Sequence, residues 1–428
     1  MPRTLWLCKV IALLVAMGSA RAREAPGAPW DDLPPIRPAA TDWPWWRGER
    51  GDGIATAATD PPLTWSKTEN VVWRADVPGR GHGSPTLWGN RIFLATAEDK
   101  EKAQYVLAFD RRDGRKLWQT EVHRGGFMRM HGKNSHASAT PACDGERVFM
   151  PFIVQGGIWL DALDLDGKIV WQKRLGSFES MHGFAASPAF YKSLVIVVAD
   201  AVKDSFIIAV HRKTGEVVWK IGRPSYNLGT YASPAVGRVA GRDQLLIQGP
   251  YKLFSYDPAT GKELWTCDGP DESTGSTVTF DGQCVWAAAG FPKRNLMCVR
   301  ADGTGDVTKT HRVWEKRDDM AYIPSMLLAD GLLYMVEDEG RVYCFDAKTG
   351  ETVWQAKLPG KYSASPVLAA GRIYVINEAG ATFVFKPGRT FELLGQSDLG
   401  DGGFATPVFI GNRIYLRTFH ALYCLGAR

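Results

Sequence analysis

Past its first two dozen residues the chain has no apolar run near the roughly 20 residues that a membrane span requires; Leu194–Val198 suffices only for a strand. Cysteine is scarce, with 7 in 428 residues, and no two are adjacent or spaced Cys-x-x-Cys. That excludes a zinc ribbon and a covalently attached haem. Also absent are a Gly-x-Ser-x-Gly elbow, a His-Glu-x-x-His pair and a Gly-Lys-Ser/Thr phosphate loop, so the familiar hydrolase, metalloprotease and nucleotide-binding signatures are missing. Charge of one sign is lacking too. The formal net charge of +5 falls to +2 without Arg3, Lys9 and Arg21, too little to recruit nucleic acid.

The N-terminus has a distinct composition. Arg3 and Lys9 precede an apolar stretch, Val10 to Met17, and Ala20-Arg21-Ala22 follows. Residues 1–22 therefore read as a secretory signal, with a retained anchor as the alternative. Cys8 precedes the apolar stretch, which excludes it as a lipidation site. The chain is expected to be secreted or periplasmic, without stable membrane insertion. Residues 23–44 contain six Pro and read as an extended linker. Residues 45–64 read as a cap segment, introduced by the aromatic cluster Trp43, Trp45 and Trp46. The cap should pack on one face of the domain; ligand stacking is the other reading.

The remainder, 65–428, is periodic. Ser/Thr anchors recur at Ser84, Thr140, Ser187, Ser233, Thr277, Ser325, Ser365 and Thr406, most followed by Pro. Trp recurs at Trp73, Trp118, Trp171, Trp219, Trp265, Trp314 and Trp354, and Leu394 holds the eighth place. A period of about 40 to 50 residues with several short strands per unit marks a propeller. Trp73 precedes the first anchor while no Trp strand follows the last. The expected fold is thus an all-β, eight-bladed propeller of four-stranded blades, with the N-terminal strand completing the last blade.

Within each unit a turn such as Asp346 to Gly350 or Asp257 to Gly261 needs a positive φ at Gly, and Asp can bond its own backbone two residues on. The Trp side chains are expected to wedge between neighbouring blades. Of the six Cys after residue 22, Cys284 and Cys298 lie on neighbouring strands of the fifth unit and form the preferred disulfide candidate; burial of all six as small apolar residues is the alternative.

Units such as Ser365-Pro366 through Gly371-Arg372-Ile373-Tyr374-Val375, and Phe345-Asp346-Ala347-Lys348-Thr349-Gly350 closing on Trp354, resemble the pyrroloquinoline-quinone-like (PQQ-like) propeller repeat over about residues 65 to 425. That family includes quinoprotein dehydrogenases, an outer-membrane assembly lipoprotein and secreted members without assigned activity. The Trp43-Pro44-Trp45-Trp46-Arg47-Gly48 opening and Asn134-Ser135-His136-Ala137-Ser138 look like the last group. The resemblance implies, as alternatives, an alcohol or sugar dehydrogenase using PQQ and calcium, or a membrane-assembly scaffold. The dehydrogenases hold their quinone under a disulfide between adjacent Cys, which this chain lacks. Calcium ligands would come from Glu337, Asp338, Asn377 and Glu378, residues also ordinary in hairpin loops.

The remaining signal is histidine. His82, His131, His136 and His182 fall in loops leading into first strands, and His82 and His136 each stand two residues before a Ser, Ser84 or Ser138. His82, His136 and His182 are candidate transition-metal ligands. Arg129, Lys133 and Asn134 in the longest loop, with His420, make the same face a candidate for an anionic or polar ligand. The leading expectation is a non-catalytic binding or scaffold module, a monomer, meeting a protein partner or a small polar ligand on that face.

Overall fold

The computed structural model describes residues 28–225, 229–291, 293–317 and 320–427; residues 1–22, expected to be a secretory signal, and the start of the expected linker lie outside them. Eight antiparallel sheets of four strands follow one another along the chain. Blade one is Thr86–Trp88, Arg91–Glu98, Ala103–Asp110 and Lys116–Arg124, paired in sequence order. In its third strand every residue is buried, whereas the fourth alternates towards solvent. A strand packed between neighbouring blades must be apolar on both faces, which is why these repeats read as continuous apolar runs.

The last blade holds Val408–Ile410, Arg413–Arg417 and Ala421–Leu425 from the C-terminus, and its outer strand is Val71–Asp76, with Trp73 opposite Cys424. The ring therefore closes through strands from both chain ends. Two short parallel strands extend blades: Ile54–Ala55 onto blade seven and Gly305–Asp306 onto blade four.

The Trp series is the blade-to-blade cement. Trp73, Trp118, Trp219 and Trp314 each donate an indole N–H to the carbonyl of the residue after the turn Asp in the next blade: Arg111, Leu165, Pro258 and Ala347, at 2.9–3.2 Å. Their rings cover the turn Gly. A Cβ at Gly114, at φ +75°, would lie 2.5 Å from the Trp73 ring, so a side chain is excluded twice, by backbone angle and by contact. The expected Asx turns are present, for example Asp257 Oδ1 accepting from Ala259 N at 2.8 Å. Trp265 departs from the series. It bonds Gln244 Oε1 within its own blade at 2.8 Å, and its strand carries the added strand Gly305–Asp306 on its outer edge.

Residues 28–44 lie against the blades: Asp31 pairs with Lys192 at 2.8 Å, Asp32 with His211 at 2.7 Å, and Leu33 N donates to Ser193 Oγ at 3.0 Å. Proline removes N–H groups that would need partners, so such a segment can lie flat on the blades without pairing as a strand. All six described cysteines are free thiols. Cys284 and Cys298 fall on adjacent strands of blade five as a diagonal pair, Cys284 opposite Arg300 and Cys298 opposite Trp286, with their thiols in hydrogen-bond contact.

Candidate functional site: the axial cavity

The eight anchors form a ring around the propeller axis. Ser84 N donates to Thr140 Oγ1, Thr140 N to Ser187 Oγ, and Ser187 N to Ser233 Oγ, at 2.9–3.0 Å. On the other side Thr277 N, Ser325 N and Ser365 N donate at 2.9 Å to Ser325, Ser365 and Thr406. In these six blades a small hydroxyl at the start of the first strand thus satisfies the backbone of the preceding blade, a physical reason for Ser or Thr at this position.

The cap closes one end of the ring. Trp43 exchanges two backbone bonds of 2.9 Å with Leu87, Cys143 N donates to Pro44 O at 2.8 Å, and Trp45 packs edge-on to Phe190 at 5.3 Å. Trp46 Nε1 donates to the ring hydroxyl of Thr277 at 2.9 Å. Arg47 is buried and reaches Met326 O at 2.6 Å and Asp52 O at 2.7 Å, and Leu368 N and Thr59 N then bond Gly53 O and Gly411 O. The segment crosses the ring from blade one to blade eight and plugs its channel. The other end opens into a cavity of about 510 Å³ with Trp46 in its lining, within the range of small-molecule sites.

The walls follow a simple register. The residue two before each anchor lines the cavity in every blade: His82, Ser138, Ala185, Tyr231, Gly275, Ile323, Ser363 and Phe404. This corrects the comparison of His82 with His136, since the blade-two anchor is Thr140, so His82 corresponds to Ser138. His136 instead lies against Phe127, ring centroids 4.0 Å apart, beside a separate small crevice.

Of the other candidates, His131, Lys133, Asn134 and His182 line the cavity. The His131 and His182 rings lie 5.7 Å apart, and His182 Nδ1 is 2.9 Å from Tyr231 OH. Asn134 closes its loop, donating to His182 O at 2.7 Å and accepting from Ser138 Oγ at 2.6 Å. Arg129 is exposed and outside the lining, and His420 is exposed and paired with Asp401 at 2.8 Å. Among the described residues no three His, Cys, Asp or Glu side chains come together to hold a metal ion.

The acidic candidates are also separated by their partners. Glu337 bonds Arg294 at 2.6 Å, and Asn377 Oδ1 accepts from Ala379 N and Ala381 N. Asp338 accepts from Tyr322 N at 2.7 Å and Ile323 N at 3.2 Å, and burial pushes its pKa up. Glu378 takes both Lys133 at 2.9 Å and Ser363 Oγ at 2.7 Å. Asp338 and Glu378 face the cavity, as does Glu339, paired with Lys361 at 3.2 Å.

Sequence reasoning did not single out Tyr231, Tyr322, Phe291, Arg294, Lys361 or Phe404, which also line the cavity. For Tyr231 and Phe404 the signal was present, two residues before an anchor. The others project from hairpins between second and third strands or from loop positions that share no register.

The family model PQQ_2, described as outer membrane protein assembly factor BamB, matches residues 47–177, 102–356 and 309–386. The chain belongs to this PQQ-like repeat family. It is 24% identical over 314 residues to the 1-butanol dehydrogenase (quinone) of Thauera butanivorans, covering 68% of this chain and 44% of that one. It is 24% identical over 239 residues to the tetrathionate hydrolase of Acidithiobacillus ferrooxidans, covering 50% and 46%. The chain spans about half the length of these curated relatives. The crystal structure of BamB from Moraxella catarrhalis superposes with a TM-score of 0.60 at 16% identity, covering 84% of this chain and 97% of that one.

A quinone with its calcium does not fit this donor set. Calcium takes six to eight oxygen ligands, several of them carboxylate, whereas Glu337, Asp338, Asn377 and Glu378 are each committed to separate cationic or backbone partners.

Proposed function

We propose that the protein is an extracytoplasmic binding module that takes a small polar ligand into the axial cavity without quinone chemistry. The observation that carries this reading is the cavity itself, plugged on one side by the Trp43–Arg47 cap and open on the other. Binding there would follow from its materials: an indole floor and aromatic walls for apolar surface, and hydroxyls and ion-paired rim residues for orientation. The placement outside the cytoplasm is supported by the N-terminal composition. Among the described residues no helix is long and apolar enough to cross a membrane. A second reading, a quinone-dependent oxidoreductase, is supported by the likeness to the 1-butanol dehydrogenase (quinone).

A thermal-shift screen of small polar metabolites tests the binding reading. Ala185 lines the cavity without belonging to the hydroxyl ring, so Ala185→Phe fills space and leaves the ring intact. Ligands that stabilise the native chain should fail to stabilise A185F. Equal stabilisation of both would place binding elsewhere.

A further inference from the structure

On blades eight and one the cavity is lined by Phe404, Thr406 and His82, and a buried cation outside the lining, Arg417, acts on His82. Arg417, on the second strand of blade eight, is 1% exposed. It donates to Ala95 O and, at 3.4 Å, to Thr96 Oγ1, its Nε has no partner, and no carboxylate pairs with it among the described residues. Gly81 makes room for it, since a Cβ there would lie 2.5 Å from Arg417 Nη2. An uncompensated buried cation is costly, so its retention calls for a counter-charge.

Next to it, His82 lines the cavity, seated on Phe404 with centroids 4.6 Å apart, and both its ring nitrogens are buried without a partner. The charges acting most strongly on this ring, Arg417 and Arg80, are both positive. Beneath it lies the anchor ring. Its cavity-lining hydroxyls are all more than nine-tenths buried, and those of Thr140, Ser187, Ser325, Ser365 and Thr406 each accept a backbone N–H. A hydroxyl carries one donor as well, and among the described residues none of these O–H groups has an acceptor. Buried polar groups are rarely left so. What His82 and this hydroxyl ring lack is an acceptor.

We propose that the part of the cavity between His82 and the anchor ring is an oxyanion subsite, in which a carboxylate or tetrahedral oxyanion accepts from His82 and the anchor hydroxyls in the field of Arg417. The subsite rests on the binding reading above and names the charged end of the ligand. The carboxylates that face the cavity, Asp338, Glu339 and Glu378, belong to blades six and seven, and Glu339 and Glu378 are already paired with Lys361 and Lys133. The remainder of the ligand would extend towards Trp46 and the aromatic wall.

The test uses the purified full chain, sodium acetate and sodium sulfate as probes, sodium chloride at matched ionic strength as reference, and glycerol as a neutral polyol. Thermal denaturation and calorimetry provide the readouts. Acetate or sulfate should raise Tm saturably, as a ligand selective for the folded state must; the probe that does so separates planar carboxylate from tetrahedral recognition. His82→Phe keeps the aromatic packing and should weaken that binding by at least about tenfold. Arg417→Met removes the uncompensated charge; it should hold or raise Tm in chloride and lose the response. The proposal fails if both oxyanions behave as chloride, or if H82F and R417M respond as the native chain does. A glycerol response without an oxyanion response also overturns the subsite, while leaving ligand binding in the cavity standing.

Discussion

Lys133 Nζ lies 2.9 Å from both carboxylate oxygens of Glu378, joining positions 245 residues apart in sequence. The pair ties the longest loop of the ring to a hairpin of blade seven at the rim of the cavity. With Lys133 about half exposed, at 53%, solvent screens the attraction, and pairs of this kind contribute about 0–1 kcal/mol. Its role lies in access. Lys133→Met should leave unfolding within about 1 kcal/mol of the native chain while accelerating association and release of a cavity ligand in stopped-flow traces. A large stability loss with unchanged rates would make the pair structural.

The contact between Gly114 and Trp73 sets a second expectation. Gly114→Ala forces a positive φ on alanine and a Cβ into the indole at 2.5 Å, and should cost roughly 2–4 kcal/mol in denaturant unfolding. Gly89 also has positive φ, +55°, but a Cβ there meets nothing within 4 Å; Gly89→Ala should cost about 1 kcal/mol. Equal costs would show that the wedge between blades eight and one carries no strain.

Buried Arg47 donates through Nη2 to Asp52 O and Met326 O and through Nε to Gly51 O. Arg47→Met strands these carbonyls and should cost about 3 kcal/mol, together with a more protease-sensitive cap. Limited proteolysis that leaves residues 43–58 as protected as in the native chain would show that the cap holds without it.

Burial and the neighbouring Arg417 and Arg80 hold His82 neutral, with a pKa near 3 against 6.5 for a free imidazole. Between those values the unfolded chain takes up a proton that the folded chain refuses. The contribution of His82 to stability is thus complete above about pH 6.5 and falls as pH drops towards 3. Melting curves recorded between about pH 7 and pH 4 should show the native chain losing more stability than H82F. Parallel losses would mean that the imidazole ionises freely in the folded state.

The fold was legible because its determinants are local and repeated. Asp346 to Gly350, its Asx turn and the partner Trp314 occur as one unit after another, and Trp73 before the first anchor revealed the closure. The cavity was legible only in part. His82, His131, Lys133 and His182 announced themselves by residue type, whereas Arg417 did not: it sits in an ordinary strand, Arg413–Arg417, and its burial against Gly81 depends on closure between the two chain ends. The commitment of Glu337 to Arg294 and of Glu378 to Lys133 could not be read from spacing either, since only the folded ring brings these partners near.

The central claim, a ligand cavity without quinone chemistry, is tested most directly by calorimetric titration of the full chain with PQQ, in the presence and absence of calcium. The account predicts no calcium-dependent saturation and no dye-linked oxidation of alcohols or aldoses. Equimolar, saturable PQQ binding that requires calcium would contradict it and return the protein to the oxidoreductases.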